Sequence, residues 1–293
     1  MLDRTQSPLT VEPVATPPVA AMVMGRPVQD AADLLPRLFN LCRASQDVAV
    51  RMAFDLPLAD GWEAALSQDI ARDHLLKLGV ILPQRLGLAP CVVPSPDLTE
   101  MSVSLVGDDP FSKTGDGFEA FLMSASPLAE VMQAVDACFA PKEASVQGLA
   151  LPEAATPDAN AALENSVAAR HLKHPVMLHV AQTRGQGPLW RIVARVLDML
   201  AALEGNLPIP VKQDDWVMVP AARGSYFVQG SSRDGLVTSF TRITPTDHML
   251  AKGGIMEQSL ARLPEGKQRM APLLVDILDP CVQVTITGGK QDA

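Results

Sequence analysis

Two cysteine-containing segments near opposite ends of the chain have residue types that could bind a metal. Cys42 lies in "LFNLCRASQ" and Cys281 lies in "ILDPCVQVT". A C-x-x-C pair can place two thiolates on one soft metal ion, because this spacing lets both sulfurs reach it. Here Phe39 stands three residues before Cys42, and Val284 stands three residues after Cys281. Each segment therefore retains one thiol of such a pair, and the two segments together suggest the halves of one site.

The other two cysteines suggest packing rather than chemistry. Cys91 falls in a connecting segment, and Cys138 falls on the apolar face of an expected helix, where cysteine behaves as a small hydrophobic residue. Four widely separated cysteines do not form a dense disulfide framework, so reduced thiols are expected. By residue type alone, burial would also be the commoner fate of Cys42 and Cys281.

Common enzyme signatures are missing from the sequence. His171 and His174 lie three residues apart and His179 follows, but no thiol or carboxylate accompanies them at the spacing of metal ligands, so ordinary polar roles are favoured. No G-x-S-x-G or Walker A motif occurs, and Gly185 and Gly187 lack the third glycine of a dinucleotide-binding turn.

Composition limits the cellular setting and the partners. The net charge is −9 and the 24 basic residues are scattered, which argues against a nucleic-acid surface. No run approaches the roughly 18 apolar residues of a membrane span. The apolar stretch 14–24 lacks a basic segment before it and is interrupted by Pro17 and Pro18, unlike a secretory signal. We therefore expect a cytoplasmic protein with no nucleic-acid partner and no membrane span.

The N-terminal half is expected to be mostly helical after an extended or strand-containing arm. Several prolines within residues 1–26 oppose a continuous helix there. Apolar residues then recur at helical spacing, and Pro36 is expected to divide this region so that Cys42 lies inside a second helix. A further helix is expected from Trp62 to about Leu78.

Gly79 and Pro83 are expected to end that helix. A proline- and glycine-rich connector over about 88–117 should follow, and Ser126 with Pro127 should begin the next helix. The stretch at about 140–162 has no sustained periodicity and suggests a flexible excursion.

The C-terminal half combines a long helix with a small sheet. "GPLWRIVARVLDMLAALEG" has a broad apolar face, and the strand-like segments around Asp234-Gly235 predict a hairpin. Two short helices follow, and Pro280 should end the second so that Cys281 lies at its exit. The expected fold class is α+β and mostly helical, with residues 27–293 forming one domain.

Three segments resemble nickel-iron hydrogenase large subunits. "MGRPVQDAADLLPRLFNLCRASQDVAVRMA" is similar to their N-terminal metal-binding segment, in which a Gly-Arg stretch precedes C-G-x-C. "ARGSYFVQGSSRDGLVTSFTRITPTDHMLAKGGIMEQSLA" looks like their later segment with an Arg-Gly pair and a hairpin. "ILDPCVQV" falls where their closing D-P-C-x-x-C stands. The three landmarks occur in the same order, which implies a large-subunit-like helical core with a small antiparallel sheet.

Departures from that pattern are equally informative. By the resemblance, Cys42 takes a position that bridges nickel and iron in a catalytic subunit, and Cys281 takes one that binds nickel alone. Phe39 and Val284 replace the other two thiolates, and Gln46 replaces a histidine. With half of its thiolates missing, nickel is not expected, and a degenerate hydrogenase is disfavoured.

These features resemble the HupK/HoxV family of hydrogenase expression/formation proteins, which are non-catalytic relatives of the large subunit. The resemblance implies a non-enzymatic maturation scaffold that carries or helps assemble an Fe(CN)2CO unit. Cys42 and Cys281 would hold the iron, and Arg223 would lie near the diatomic ligands. The implied partners are hydrogenase maturation proteins and the immature large subunit. The alternative is a metal-free interaction module that mimics the large subunit.

Overall fold

The computed structural model describes residues 8–15, 18–38, 42–91, 94–155 and 157–288. Helices dominate this part of the chain. In order they are α1 (Val19–Val23), α2 (Val28–Leu38), α3 (Arg43–Ala53), α4 (Trp62–Leu76), α5 (Leu82–Arg85), α6 (Leu98–Val106), α7 (Gly115–Leu122), α8 (Pro127–Cys138), α9 (Ala168–His171), α10 (Pro175–Thr183), α11 (Pro188–Leu203), α12 (Pro245–Leu250), α13 (Ile255–Ala261) and α14 (Ala271–Leu278).

The strands form two small antiparallel sheets. They are β1 (Thr10–Pro13), β2 (Val211–Gln213), β3 (Trp216–Ala221), β4 (Gly224–Arg233), β5 (Leu236–Ile243) and β6 (Val284–Thr287). Strands β2 to β5 form a meander in sequence order, and β1 pairs with β6. The β4–β5 connection uses Asp234 and Gly235, both with positive φ, as an Asp-Gly hairpin requires. This confirms the expected hairpin.

Two apolar clusters make up the interior, and α4 and α11 contribute to both. One cluster packs α1, α2 and α3 against β3, β4 and β5, whereas the other collects the remaining large helices around α11. On α4 the change from one cluster to the other falls between Ala71 and Leu75, and on α11 it falls between Met199 and Ala202. Charged residues of α4 and α11, close to the positions where one cluster gives way to the other, lie near the candidate site.

The N-terminal segment, expected to be extended or strand-containing, has one strand and also one short helix. Thr10–Pro13 is extended and pairs with β6, but Val19–Val23 is helical, and Val19 and Val23 are buried against the sheet side of the molecule. The prolines precede this short helix rather than interrupt it, which a helix start tolerates.

Two expected helix ends were wrong. α2 continues through Pro36 to Leu38, so Cys42 precedes α3 instead of lying inside a helix. After α4, a π-helical segment at Lys77–Ile81 leads directly into α5, so the helical structure ends at neither Gly79 nor Pro83. Proline is tolerated at Pro83 because it lies in the first turn of α5.

Two intervening segments contain features that their composition did not predict. The expected connector over 88–117 contains α6, capped by the Asp97 carboxylate, and the start of α7. Residues 140–155 and 157–162 have only an isolated bridge between Ala150 and Leu163, yet Ala144 and Val146 are fully buried. Helices α8, α11, α13 and α14 match their predicted positions. None of the helices in the described part of the chain has the length and apolar character needed to cross a lipid bilayer.

Candidate metal centre

Cys42, Cys281 and Arg223 line one cavity of about 230 Å³. The cavity lies where the start of α3, the β3–β4 turn and the chain after α14 meet. Its other lining residues are Leu38, Gln46, Ala221, Tyr226, Arg242, Thr244, Pro245 and Val282. The fold thus brings together the three residues that the sequence proposed from distant segments.

Cys42 is presented by an unusual backbone conformation at the start of α3. It has φ 53° and ψ 40°, the left-handed region that few non-glycine residues occupy. Its carbonyl accepts the first intrahelical bond from the Gln46 N–H at 3.0 Å, and Asp69 accepts from the Ala44 N–H at 3.1 Å. The Cys42 carbonyl and the Asp69 carboxylate therefore stabilise the start of α3. The Cys42 side chain takes no part in this cap and is directed to the cavity.

The Cys42 thiol is neutral in the protein alone. Burial raises its pKa to about 11, although the nearby Arg223 guanidinium opposes the shift. A thiolate is the form that binds metals, so a metal must displace this proton when it binds.

Arg223 belongs to a tight β3–β4 turn that only glycine can complete. Ala221 and Gly224 are paired across the turn, and Gly224 has φ 143°. A Cβ atom at Gly224 would lie 2.2 Å from the Asn165 carbonyl oxygen. Asn165 also accepts from the Ser225 N–H at 2.7 Å and donates to the Ser225 carbonyl at 2.9 Å. Asn165 therefore fixes the turn that directs Arg223.

The Arg223 guanidinium is held against the cavity by two carboxylates. Its Nε donates to the Asp279 carbonyl at 3.1 Å and lies 3.1 Å from Asp279 Oδ2, and its Nη1 donates to Asp73 Oδ2 at 3.2 Å. Nη1 also lies 3.8 Å from Cys42 Sγ. Burial lowers the pKa of Arg223, but Asp279 and Asp73 outweigh it and the net shift is upward. Arg223 is thus a fixed cation beside the Cys42 sulfur.

Asp279 connects the Cys281 segment to three cations. Its carboxylate lies 2.7 Å from Lys77 Nζ, 3.1 Å from Arg195 Nη2 and 3.1 Å from Arg223 Nε. Burial raises the pKa of this carboxyl group, but the three cations outweigh burial and hold the pKa well below its usual range. Asp279 also has left-handed backbone angles, φ 60° and ψ 60°, at the C-cap of α14.

Cys281 follows this anchored residue and has its own fixed contact. Its N–H donates to Thr246 Oγ1 at 2.8 Å. The carboxylate of Asp279 and the hydroxyl of Thr246 therefore position Cys281 from both sides of Pro280. Asp279 therefore does more than end α14, because its carboxylate binds three cations.

A buried polar network extends from Arg223 into the molecule. Arg195 Nη1 lies 3.7 Å from Asp73 and 3.2 Å from His74 Nδ1, and His74 Nε2 lies 2.9 Å from Asp198. The fully buried Asp198 also accepts two bonds from Arg170. Burial raises the pKa of Asp198, but Arg170 and the histidines outweigh it and hold the pKa well below its usual range. The cavity wall is therefore supported by paired charges rather than by apolar packing alone.

Similarity to known proteins identifies the family. No protein-family model matches the sequence. The chain is 39% identical over 272 residues to hydrogenase expression/formation protein HupK of Rhodobacter capsulatus, which covers 92% of this chain and 89% of that protein. The chain belongs to the HupK family of hydrogenase expression/formation proteins.

Solved hydrogenases share the fold of this HupK-family chain. The Ni-Fe-Se hydrogenase of D. vulgaris Hildenborough in the reduced state has a TM-score of 0.61 at 13% identity, covering 93% of this chain and 95% of that one. The reduced, active Ni-Fe-Se hydrogenase of Desulfomicrobium baculatum has a TM-score of 0.57 at 11% identity, covering 95% and 97%. These matches and the observed helices and small antiparallel sheets confirm the predicted large-subunit-like α+β fold.

The HupK-family chain departs from a four-thiolate site as its sequence indicated. Gln46 is buried and lines the cavity, but Val284 pairs with Pro13 in the β1–β6 ribbon and lies outside the cavity lining. Phe39 lies outside the described residues. Within the described ranges, no group of three or more His, Cys, Asp or Glu side chains is placed to hold a metal ion. Any metal in the cavity would therefore depend on two thiols.

The remaining candidate ligands have other contacts. His171 lies 3.1 Å from Asp198, and His179 lies 2.6 Å from Glu119. His174 accepts from the Val176 N–H at the start of α10. The partly buried Cys91 and Cys138 both pack against the larger apolar cluster. None of these five residues lines the cavity.

Sequence reasoning missed several residues around the cavity. Four residues were not proposed from the sequence. Tyr226 and Arg242 line the cavity. Asp73 binds Arg223, and Arg195 in turn lies beside Asp73. One signal was available, because charged residues recur within the otherwise apolar α11 sequence "LWRIVARVLDML". Charges inside an apolar helix must be paired when buried, and such pairs often accompany sites.

Proposed function

We propose that this chain is a non-enzymatic accessory protein of nickel-iron hydrogenase maturation that carries an Fe(CN)2CO unit and passes it to the immature large subunit. The observation that carries the proposal is the meeting of Cys42, Cys281 and Arg223 in one cavity. Membership of the HupK family supports the maturation role. The hydrogenase-like fold supports binding of this chain to the maturation proteins that act on hydrogenase.

The donor set fits this cargo. Low-spin iron that already has three strong-field diatomic ligands needs few protein donors, and thiolates are suitable soft ligands. Cys42 and Cys281 would supply them. The Arg223 guanidinium could donate N–H groups to a cyanide nitrogen, since Nη1 lies beside the Cys42 sulfur. Two ligands also suit a carrier, because a carrier must release what it binds.

The volume of the cavity agrees with a small inorganic complex. At about 230 Å³ it is smaller than the roughly 300–1,000 Å³ typical of pockets for drug-sized ligands. Two thiols cannot complete the four-thiolate nickel site of a catalytic subunit, and the position of Val284 in the β1–β6 ribbon offers no replacement. Nickel is therefore not expected in the proposed cargo.

Infrared spectroscopy tests the proposal. Protein purified anaerobically from a maturation-competent host should show cyanide and carbon monoxide bands. Cys42→Ala and Cys281→Ala should each abolish these bands, whereas Cys138→Ala should retain them because Cys138 packs against the apolar core outside the cavity. A metal-free wild-type protein from such a host would refute the carrier role.

A metal-free interaction module is the second candidate. Two observations favour it: no group of three metal-binding side chains occurs in the described ranges, and the Cys42 thiol is neutral without a metal. In this role the large-subunit-like surface would engage maturation partners, and the cavity would be structural. Hydrogenase activity in cells then distinguishes the two roles, because both cysteine variants should support full maturation if the module acts without metal.

A further inference from the structure

A second arginine lies on the wall of the cavity, apart from the residues that the carrier proposal uses. Arg242 on β5 lines the cavity together with Tyr226 on β4. The strand register pairs Arg242 with Val228, so Tyr226 is its diagonal neighbour on the same face of the sheet. The positive charge of Arg242 lowers the pKa of Tyr226, against the larger opposing effect of burial, so the two side chains influence each other. The pair is therefore part of the sheet framework.

The chemistry of the two side chains decides which of them can donate and which can accept a hydrogen bond. A guanidinium group has only donors, so toward Arg242 the Tyr226 oxygen can act only as an acceptor, and its O–H can donate to a ligand. Burial raises the pKa of Tyr226 to about 12, and it therefore keeps its proton at neutral pH. Tyr226 is only 5% exposed.

The charges around the cavity favour an anion. Guanidinium groups of Arg223 and Arg242 both line it, and no Asp or Glu side chain belongs to its described lining. Asp73 and Asp279 bind Arg223 without lining the cavity. A bare divalent cation would meet two positive charges there, whereas an anion would meet donors on two sides.

Arg242 also lies between the cavity and a neighbouring groove, since it lines both. It lines an adjoining groove of about 430 Å³ that shares Cys281 and Val282 with the inner cavity. A ligand that enters through this groove would pass the Arg242 guanidinium before it reaches Cys42.

We propose that Arg242 and Tyr226, together with Arg223, form a binding site for small linear anions and for anionic metal complexes bearing such ligands. Arg242 and Tyr226 bind one negative end of the ligand, and Arg223 binds another. Naming cyanide on iron as the physiological anion rests on the proposed function, whereas the anion site does not. Arg242 is in this sense a specificity-determining residue that excludes uncomplexed divalent cations.

The single tyrosine of the chain makes this site directly observable. Tyr226 is the only tyrosine, so ¹³C-labelled tyrosine gives one ring signal from the cavity wall. Metal-free protein is titrated with sodium thiocyanate at constant ionic strength, and separately with acetonitrile, a neutral molecule of similar linear shape. Thiocyanate should shift the signal saturably and acetonitrile should not. Equal responses to both, or no response to thiocyanate, would overturn the proposal.

Variants assign the binding to Arg242. Arg242→Gln should weaken thiocyanate binding about tenfold or more, the loss expected for a hydrogen bond to a charged group. Arg233→Gln is the matched control, because Arg233 is exposed on β4 and does not line the cavity. Arg242→Lys keeps the charge and should bind with intermediate affinity, and it decides the matter if Arg242→Gln does not fold. Unchanged affinity in a folded Arg242 variant would refute the assignment.

A second readout separates this proposal from the carrier role. In iron-loaded protein, Arg242→Gln should shift at least one cyanide stretching band relative to the Arg233→Gln control. Thiocyanate binding without any cyanide or carbon monoxide bands would support the anion site and contradict the carrier role. If the bands depend on Cys42 and Cys281 but not on Arg242, and thiocyanate does not bind, the carrier role would be supported and the anion site would be contradicted.

Discussion

Asp279→Asn is the most informative single substitution for the architecture of the site. Asp279 is 5% exposed, and its carboxylate contacts Lys77, Arg195 and Arg223. Asparagine has nearly the same shape and tolerates the left-handed backbone of this position, so the substitution removes the charge and little else. Three buried cations would then lose their shared anion.

The expected cost is large but compatible with folding. Removing one partner of a buried ion pair typically costs about 3–5 kcal/mol, because the other charge remains buried without compensation. Whole domains are stable by about 5–15 kcal/mol. Asp279→Asn should therefore lower the free energy of unfolding by about 3–5 kcal/mol. At about 2–4 °C per kcal/mol, the melting temperature should fall by about 6–20 °C.

The effect has a defined pH dependence. The cations hold the pKa of Asp279 below that of an unfolded aspartate, near 3.9. Its contribution is therefore complete above about pH 5 and is lost as pH falls through the folded pKa. The difference between wild type and Asp279→Asn should be about 1 kcal/mol smaller at pH 3 than at pH 7.

Urea unfolding followed by tryptophan fluorescence at both pH values provides the measurement, since Trp190 is buried on α11, the helix that also contains Arg195 and Asp198. The double variant with Lys77→Met supplies a coupling energy, and it should be less destabilised than the sum of its single variants. A cost below about 1 kcal/mol at pH 7, or one that does not change with pH, would refute the view that Asp279 anchors the Cys281 segment through its charge.

Three further predictions follow from individual contacts. Gly224→Ala should destabilise the protein by about 1–3 kcal/mol or more, because its Cβ would meet the Asn165 carbonyl. Gly266→Ala, where a Cβ meets nothing within 4 Å, should leave the melting temperature unchanged or slightly raised. In a variant that retains Cys42 as its single cysteine, alkylation at pH 8 should be about two-hundredfold slower than for an ordinary thiol near pKa 8.5, because the thiolate fraction is that much smaller, and it should accelerate up to about pH 11. A rate typical of free thiols would contradict the buried, neutral state. His74 has a pKa lowered chiefly by burial, so stability should fall as pH drops below the unfolded value near 6.5. His74→Gln should reduce that dependence between pH 5 and 6.5 in urea titrations, and an unchanged slope would show that other groups cause it.

The sequence predicted those features of the fold that depend on local patterns. The apolar face of α11, the Ser126-Pro127 start of α8 and the Asp-Gly hairpin all lie where expected, since each depends on neighbouring residues. The passage of α2 through Pro36 and the π-helical segment after α4 were not predictable in this way. Both depend on packing against distant elements, which outweighs a local preference of about 3 kcal/mol or less.

The candidate site could be predicted only in part. Cys42 and Cys281 were identified by their sequence neighbours, and Arg223 by the Arg-Gly pair of the resemblance. Asp73, Lys77 and the Arg242–Tyr226 pair were not, because no short motif contains them and their role depends on the meeting of α4, the π-helical segment and the sheet. A buried charge has a recognisable sequence signal only when its surroundings in the chain are apolar, as at Arg195 on α11.

The charges around the cavity bear on how a carrier would exchange its cargo. Without a metal, Cys42 is a neutral thiol beside the fixed cation Arg223, so the cavity has a positive character and no thiolate at that position. In the proposed role, binding of the iron unit would release the Cys42 proton, and protonation of Cys42 would favour release of the iron. Asp279, Asp73 and Arg195 keep the Arg223 cation in place through this change, because their mutual ion pairs do not involve the sulfur. A fixed cation beside an exchangeable proton favours reversible binding of an anionic complex, whereas four thiolates would favour retention of two metals.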